Sequence, residues 1–320
     1  MTTKAAMFAR NFWVLPVVLA GLAGLRIIAK GQPLDQWLPK WDTWAILVAM
    51  VVLERVFRYS RAVSQRPVLP RNVVSTLVNL YVTGFLTGLV LLPVLAYVPE
   101  HYLSREFLFA SPEQLGPLWL QFLLVLVLVS FVRYWVHRFQ HANEFLWKLH
   151  SYHHQVQDLQ ASNTYVSHPI DFALRNVVVF LVLGIIGFDP FVLLVAVPLS
   201  NISGTFSHCG ADLKAGLLNY VLVTPEVHRW HHTAEVPEGY KYSCNYGVEF
   251  SFWDILFGTF YLPQRDGETQ QPERIGHPGG NADEPNYLKL LLAPLGLYPR
   301  KARARAARGE LSSPGAARGE

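Results

Sequence analysis

The spacing of eight histidines restricts the folds that this chain can adopt. They form three sets: His137 and His141 in HRFQH, then His150, His153 and His154 in HSYHH, and finally His228, His231 and His232 in HRWHH. Residues three or four apart share a helix face, so each set is predicted to project from its own short helix. On one uninterrupted helix His141 and His150 would point in opposite directions, because nine steps of about 100° carry a side chain half-way round. We therefore predict a turn at Ala142-Asn143, with Asn143 capping a helix over 144–154.

The three sets are expected to converge on bound metal. Thr224 suits the N-cap of the third helix, and Pro225 suits its first position. Imidazole is a common ligand of zinc, iron and copper, and eight nitrogens exceed the roughly four to six positions around one ion. Two metal ions are therefore predicted. The alternative, unconnected surface or core histidines, requires the same spacing to arise three times by coincidence.

The chain is too apolar for an ordinary soluble domain. Of its 320 residues, 51% are hydrophobic and 16% are charged. Apolar runs predict membrane helices over 12–28, 43–57, 73–98 and 118–136, the first being interpreted as a retained anchor rather than a cleaved signal peptide. A region over 172–206, broken at 187–190, is predicted to form a hairpin that returns to the side on which it began.

The charges in the connecting segments predict the orientation of these helices. The segment between the second and third runs carries four arginines, Arg58, Arg61, Arg66 and Arg71. The segment over 99–117 carries three glutamates and one arginine. Basic residues favour the cytoplasmic side, so His137 is expected to emerge there and His101 on the opposite side. The predicted fold is all-α, a polytopic membrane helix bundle with a cytoplasmic histidine-rich helical cap.

Two further histidines lie next to the predicted hairpin. His168 precedes its first arm and His208 follows its second, so both are candidate ligands; the alternative for each is a helix cap or an interfacial anchor. Carboxylates near the sets are candidate partners for ring N–H groups or ordinary surface charges: Glu144, Asp158, Asp171, Glu226 and Glu235. Cys209 and Cys244 are too few for a disulfide framework or a thiolate metal site. The net charge is +4, and the basic residues lie next to apolar segments and in the C-terminal tail. This distribution favours anionic lipid headgroups as partners and predicts no nucleic-acid partner.

The order HxxxH, HxxHH and HxxHH around a membrane hairpin resembles the fatty acid hydroxylase superfamily. That superfamily includes sterol desaturases, sphingolipid and alkylglycerol hydroxylases and, more distantly, carotenoid hydroxylases. The likeness covers about residues 118–263 and includes HRFQH, LWKLHSYHH, the SHP at His168 and the closing NYGVEFSFWDILFGTFYLP. The chain is accordingly divided into N-terminal transmembrane helices (1–117), a catalytic domain (118–265) and a C-terminal segment (266–320) predicted to be disordered after residue 301.

The resemblance implies a non-haem diiron oxygenase that uses O2 to hydroxylate, or to desaturate, a lipid such as a fatty acyl lipid or a sterol. It implies nine histidine ligands, with His168 as a further candidate: His137, His141, His150, His153, His154, His208, His228, His231 and His232. Some members carry another ligand four residues before the position of His208, where this chain has Gly204. Water, Asn201 or His168 is therefore expected to complete the coordination of one metal.

The expected partners are a membrane lipid as substrate and a separate electron donor, a ferredoxin or a cytochrome b5-like protein with its reductase. The chain has neither a GxGxxG nor a GxxxxGK[ST] element for a nucleotide. HPGG at His277 resembles the haem signature of cytochrome b5, but the segment is too short for a haem domain and no second axial histidine follows. The expected location is a bacterial inner membrane.

Alternative interpretations belong to other functional classes. A membrane zinc hydrolase would need a general base such as the Glu of HExxH, which is missing. A lipid-binding protein without catalysis would be expected to have lost a histidine of the three sets. Six aromatic residues either line an acyl-chain pocket or serve as ordinary packing: Trp135, Phe139, Phe145, Trp147, Phe180 and Trp253.

Overall fold

A computed structural model describes residues 41–57, 69–102, 112–277, 287–292 and 295–296. The predicted anchor at 12–28, Arg58, Arg61, Arg66 and the tail after residue 301 lie outside these ranges. The described part is mainly helical, as predicted, with one antiparallel pair of two-residue strands, β1 (Gln264–Arg265) and β2 (Glu268–Thr269).

The helices follow one another in this order: α1 (Trp41–Val56), α2 (Leu69–Leu77), α3 (Gly84–Tyr102), α4 (Leu118–Ala142), α5 (Glu144–His150), α6 (Pro169–Ile186), α7 (Pro190–Ser207), α8 (Pro225–His231), α9 (Phe252–Leu256) and α10 (Tyr287–Leu292). A π-helical stretch, Val78–Thr83, joins α2 to α3 without a break, and 3₁₀ turns lie at Pro112–Leu115, His153–Gln155, Ala161–Asn163 and Gly216–Tyr220.

Three helical stretches in the described part are long and apolar enough to cross a membrane: Arg71–Leu91, Leu118–Ala142 and Pro169–Ile186. These stretches indicate a membrane protein. The apolar run predicted over 118–136 continues as helix to Ala142, so α4 carries both His137 and His141 and ends at the predicted turn Ala142-Asn143. The reason is that Asn143 leaves helical geometry and caps the following helix, which fixes the end of α4 six residues later than its last apolar run suggests.

The hairpin predicted over 172–206 is α6 followed by α7. Gly187 ends α6 with a φ of +80°, a backbone conformation that glycine adopts without a Cβ penalty. Asp189 then caps α7, its carboxylate accepting from the Phe191 N–H at 2.7 Å, and Pro190 occupies the first turn. The sequence Gly-Phe-Asp-Pro therefore stops one helix and starts the next within a tight turn.

Apolar side chains of α4, α6 and α7 form the centre of the bundle. Val125 and Val129 of α4 pack with Val179 of α6 and Ala196 of α7, and all four are buried. Between membrane helices such contacts stabilise the bundle through van der Waals packing rather than through removal of apolar surface from water. This packing holds the ends of α4, α6 and α7 together, and those ends carry histidines.

Polar contacts fasten the histidine-bearing cap to the helices. Asn79, in the π-helical stretch, donates to the backbone carbonyls of Tyr165 and Ser167 at 2.8 and 3.0 Å. Glu54 of α1 accepts from the backbone N–H groups of Ala161 and Gly210. A buried carboxylate and a buried amide thus meet backbone groups that would otherwise be unsatisfied in an apolar bundle.

Candidate metal centre

The end of α4 and the helix after it deliver the first histidines. His137 and His141 lie one turn apart on the buried side of α4. Asn143 then caps α5, as predicted, its side chain accepting from the N–H groups of Phe145 and Leu146 at 3.0 Å. The turn at Ala142-Asn143 brings His150, the last residue of α5, back beside α4, with ring centroids 4.9 Å from His137 and 5.0 Å from His141.

The predicted helix over 144–154 is shorter than expected. It ends at His150, and His153 and His154 lie in a separate 3₁₀ turn. A 3₁₀ turn advances by about 120° per residue, not 100°, so the two adjacent histidines point apart. Their ring planes are 90° to one another. This set therefore supplies histidines to two different groups, not to one face.

Helix α8 delivers the third set. Thr224 caps it by accepting from the Val227 N–H at 3.4 Å, and Pro225 is in the first turn, as predicted. His228 and His231 lie on α8 and His232 is the residue that ends it. Glu226 connects the same helix to the preceding segment, because its buried carboxylate accepts from the Ala215 N–H and the Asn219 side chain.

Nine histidines gather into two buried groups whose ligand nitrogens lie within 4.8 Å of one another in each group. The five-histidine group consists of His137, His141, His150, His154 and His231. The four-histidine group consists of His153, His208, His228 and His232. The second and third histidine sets are each divided between the two groups, whereas both histidines of the first set belong to the five-histidine group. The two groups therefore lie side by side and share helical segments.

His208 joins the four-histidine group from the end of α7, whereas His168 lies outside both groups. The Nδ1 of His168 instead accepts from the Ile170 N–H at 3.3 Å and caps α6. That is the helix-cap role expected as the alternative for this residue. Asn201, the other candidate to complete a metal site, accepts at its Oδ1 from the Arg133 guanidinium at 2.8 Å.

Hydrogen bonds at Nδ1 orient five of the nine histidine rings, three in the five-histidine group and two in the four-histidine group. Three rings donate to backbone carbonyls: His137 to Tyr246 at 2.8 Å, His231 to Cys244 at 2.8 Å and His153 to Val166 at 3.0 Å. His150 lies 3.3 Å from the Asp171 carboxylate, and His208 lies 3.0 Å from the Asn163 side-chain oxygen. An oxygen acceptor at Nδ1 places the proton there and leaves the Nε2 lone pair free for a metal.

The remaining ring nitrogens fit metal ligation. Nε2 of His154 lies 3.2 Å from Nε2 of His231, and Nε2 of His208 lies 3.0 Å from Nε2 of His228. Two nitrogens bound at right angles to one ion at about 2.1 Å are about 3 Å apart. Further buried nitrogens have no hydrogen-bond partner among the described residues: His141 Nε2, His150 Nε2, His228 Nδ1 and both nitrogens of His232. Unsatisfied buried polar atoms are costly unless a ligand meets them.

Burial keeps the histidines of the two groups neutral. The pKa of His208 and of His231 falls to about 3, because removal from water disfavours the charged ring and neighbouring histidines add repulsion. The pKa lies well below its usual value near 6.5, for the same reasons, in His153, His154, His228 and His232. Neutral imidazole is the form that binds metal, so the groups are preset for ligation at neutral pH.

The segment after α8 supports the five-histidine group. The Asp254 carboxylate accepts from the N–H groups of Tyr246 and Gly247 and from the Thr259 hydroxyl. This fixes the loop whose carbonyl oxygens, at Cys244 and Tyr246, orient His231 and His137. Sequence reasoning missed these carbonyls and Asn163, because any residue supplies a carbonyl and nothing local marks it as an acceptor. Asp171 was among the predicted carboxylate partners.

A cavity of about 600 Å³ extends from the histidines into the helix bundle. Its wall includes His137 of the five-histidine group and three members of the four-histidine group, His153, His208 and His228. The wall continues along α3, α6 and α7 through apolar residues that include Leu91, Val179, Phe180 and Val197. This volume lies in the range of about 300–1,000 Å³ that is typical of small-molecule sites.

The aromatic residues proposed for the pocket have mostly other positions. Phe180 lines the cavity. Phe139 and Phe145 are exposed, at 59% and 63%, and Trp147 packs edge-on or tilted against His141 and His154. Trp135 packs against Phe257, and the Trp253 indole N–H donates to Ser130. Packing therefore accounts for Trp135, Trp147 and Trp253, whereas Phe139 and Phe145 lie on the surface and line no part of the cavity.

Two adjacent all-histidine groups lie at the end of apolar, membrane-length helices, and their residues could hold metal ions. Residues 122–259 match the family model described as fatty acid hydroxylase, and curated relatives of this region include lipid hydroxylases. The predicted resemblance is confirmed. No solved structure matches the chain.

Curated relatives in the same superfamily act on different lipids. The ornithine lipid hydroxylase OlsE of Rhizobium tropici is 35% identical over 158 residues, which cover 49% of this chain and 46% of that protein. Sphinganine C4-monooxygenase 1 of Arabidopsis thaliana is 29% identical, over 45% of this chain and 54% of its own length. Human alkylglycerol monooxygenase is 29% identical, over 41% of this chain and 28% of its own. The matched region thus spans about half or less of these relatives.

Proposed function

We propose that this protein is a membrane-bound non-haem diiron oxygenase that hydroxylates a lipid with O2, with desaturation as the second outcome of the same centre. The observation that carries the proposal is the pair of adjacent histidine groups at the end of a lipid-sized cavity. The superfamily match over 122–259 and the names of the curated relatives support the same reaction class.

Nine histidines are proposed to hold two iron ions, five on one and four on the other. Bound iron would supply dioxygen activation and electron transfer, which redox-inert zinc cannot supply. His168 is left out of this ligand set because it caps α6 outside both groups. The groups that accept from Nδ1 of the anchored histidines are proposed to keep the Nε2 atoms of these rings directed at the metal during turnover. For His150 the acceptor is the Asp171 carboxylate.

The cavity is proposed to bind the lipid and to exclude water from the reacting carbon. Breaking an unactivated C–H bond needs a dry site, and the wall at Leu91, Val179 and Val197 is apolar. Because the cavity lies between helices that are apolar enough to cross a membrane, substrate is proposed to enter from the bilayer. A fatty acyl lipid or a sterol is the proposed class, and the name of the Rhizobium tropici relative adds an ornithine lipid to it.

The cytoplasmic face of a bacterial inner membrane is the proposed location of the site. The arginines between the second and third predicted membrane helices support this orientation. A cytoplasmic ferredoxin, or a cytochrome b5-like protein with its reductase, is the proposed electron donor. The division into 1–117, 118–265 and 266–320 is kept as a proposal, with the catalytic domain in the middle segment.

The test is metal content measured together with lipid-dependent oxygen uptake. Purified protein in detergent, supplied with iron and a reducing system, is expected to hold about two irons per chain and to consume O2 when lipid extract is added. His231→Ala is expected to lose both properties, whereas His277→Ala, which lies outside both groups and against Trp147, keeps them. Tightly held zinc with no iron-supported uptake would instead support the membrane zinc hydrolase. Lipid binding without turnover at full iron content would support a non-catalytic lipid-binding protein.

A further inference from the structure

Two arginines of apolar, membrane-length helices line the cavity, and one of them is fully paired inside the protein. Arg133 of α4 contacts the buried Glu249 carboxylate at 2.6 Å through Nη1. The same nitrogen donates to Ser200 at 2.9 Å, and Nη2 donates to Asn201 at 2.8 Å. Its charge is therefore balanced and both Nη atoms donate to buried acceptors, as expected for a structural ion pair within a helix bundle.

Arg175 of α6 is different, because its guanidinium has few partners. It donates from Nη2 to the Ser167 hydroxyl at 2.8 Å, and its Nε is buried with no hydrogen-bond partner among the described residues. The Asp171 carboxylate lies 3.5 Å from Nη2, longer than the roughly 2.7–2.9 Å of a charge-assisted hydrogen bond. Asp171 already accepts from Gln140 and lies beside His150 Nδ1, so its oxygens serve other groups.

A charged side chain within an apolar membrane-length helix is costly and normally has a function. Arg175 lies seven residues beyond His168 in α6, and its side chain is 29% exposed where it lines the cavity. A guanidinium offers five N–H donors in a fork that fits two oxygens of one anion. The features of Arg175 are those of a cation prepared for a ligand.

The cavity wall changes character along its length. Its histidines lie at one end, Arg133, Arg175 and Asn201 lie one to two helical turns further, and Val179 lies another turn beyond Arg175. At about 1.5 Å per residue, one turn of four residues separates these levels by about 6 Å. The order from the metal groups inward is thus histidine, cationic and polar, then apolar.

We propose that Arg175 binds an anionic oxygen group, a carboxylate or a phosphate, of the lipid in the cavity. The alkyl chain then extends along the apolar part of the wall at Val179 and Val197. Arg175 is thereby a specificity-determining residue that selects anionic lipids. This inference rests on the proposed function and names the substrate class for the same cavity.

The test is equilibrium binding of two matched probes, palmitate and methyl palmitate, to iron-loaded protein in phosphatidylcholine nanodiscs without oxygen or reductant. The wild-type protein is expected to bind palmitate about tenfold more tightly, or better, because only the free acid offers a charge-assisted pair. Arg175→Gln is expected to abolish that preference while its affinity for the ester and its iron content stay unchanged. Arg175→Lys, which keeps the charge but not the fork, is expected to retain part of the preference.

Each outcome of this experiment decides the proposal. No preference in the wild-type protein, or an undiminished preference in Arg175→Gln, overturns it. Displacement of palmitate by millimolar inorganic phosphate or acetate assigns the site to a free anion and overturns the lipid assignment, whereas no displacement supports it. Because binding is measured without turnover, a protein that prefers palmitate but never consumes O2 refutes the proposed oxygenase activity alone.

Discussion

The five-histidine group and the four-histidine group share the 3₁₀ turn His153–Gln155 and the α8 region, but they differ in their other helices and in enclosure. Helices α4 and α5 serve only the five-histidine group, and α7 serves only the four-histidine group. In the five-histidine group, three rings are anchored at Nδ1 by Tyr246, Asp171 and Cys244, and His137 alone lines the cavity. In the four-histidine group, three of the four rings line the cavity, and Val166 and Asn163 anchor two of them.

We expect the two sites to differ in role. A metal ion with more protein ligands and little access is held more tightly, whereas an ion with fewer protein ligands keeps an open coordination position for a reactant. Hydrogen bonds at Nδ1 anchor two of the four rings in the four-histidine group, against three of the five in the other group, so the four-histidine group is also the less braced of the two. We expect the exchangeable coordination position on that side, beside the cavity.

Removal of one ligand from each group gives the largest expected effect. His228→Ala is expected to lower lipid-dependent oxygen uptake by about 100-fold or more and to release about one iron per chain, because three ligands remain. His150→Ala leaves four ligands in the other group and is expected to keep more iron. Iron content by elemental analysis and oxygen uptake measure both. Equal iron loss in the two variants would contradict the proposed asymmetry.

Replacement of the two side-chain anchors tests the bracing of each group. Asp171→Asn removes the carboxylate at His150, and Asn163→Ala removes the amide oxygen at His208. Outer partners of metal-bound histidines are typically worth about 10–100-fold in metal affinity, and the charged anchor is expected at the upper end. Titration with a competing chelator gives the two affinities.

The thermal midpoint of each metal-free anchor variant serves as the folding control. A greater affinity loss in Asn163→Ala than in Asp171→Asn, at similar midpoints, would reverse the ranking of the two groups.

Obstruction of the cavity is expected to reduce turnover without removal of metal. Gly88 of α3 lines the cavity, and a Cβ there would meet no atom within 4 Å, so the first side-chain atom of Gly88→Phe meets no clash and the ring is expected to occupy the cavity. Displacement of substrate from its reactive position is expected to lower oxygen uptake by about tenfold or more. The matched control is Leu86→Phe, at a side chain on the same helix that is 55% exposed and outside the cavity wall. Similar rates of oxygen uptake in both variants would show that the cavity does not bind the substrate during the reaction.

The smallest effects are expected at the two helix caps. Asn143 caps α5, which supplies His150 to the five-histidine group, whereas Thr224 caps α8, which supplies histidines to both groups. Each cap replaced by alanine is expected to lower the free energy of unfolding by about 1 kcal/mol. Thr224→Ala should speed iron release from both sites and Asn143→Ala from one, as measured by chelator kinetics, and Thr224→Ser should restore the wild-type rate.

Much of the site was predictable from sequence because its signals are local. The spacing of His137 and His141, the cap at Asn143 and the Thr224-Pro225 start each act within one or two helical turns. The apolar runs likewise predict helices, and the Gly-Phe-Asp-Pro break predicts the turn between α6 and α7. Helix ends were less accurate, since α5 stops at His150 once the 3₁₀ turn begins.

The sequence by itself predicted that the eight histidines of the three sets would meet at the end of a membrane-helix bundle, because periodicity and capping are properties of neighbouring residues. His208 and His168 were both further candidates, and the tertiary structure brings only His208 to the groups. Only the tertiary structure decided how the nine histidines divide into five and four, since His153 and His154 are adjacent in the chain but serve different groups. It also decided that Asp171 anchors His150, that His168 caps α6 and that Arg175 lacks the partners Arg133 has. Those outcomes depend on which distant backbone and side-chain atoms the packed helices bring within about 3 Å, and no local pattern encodes that distance.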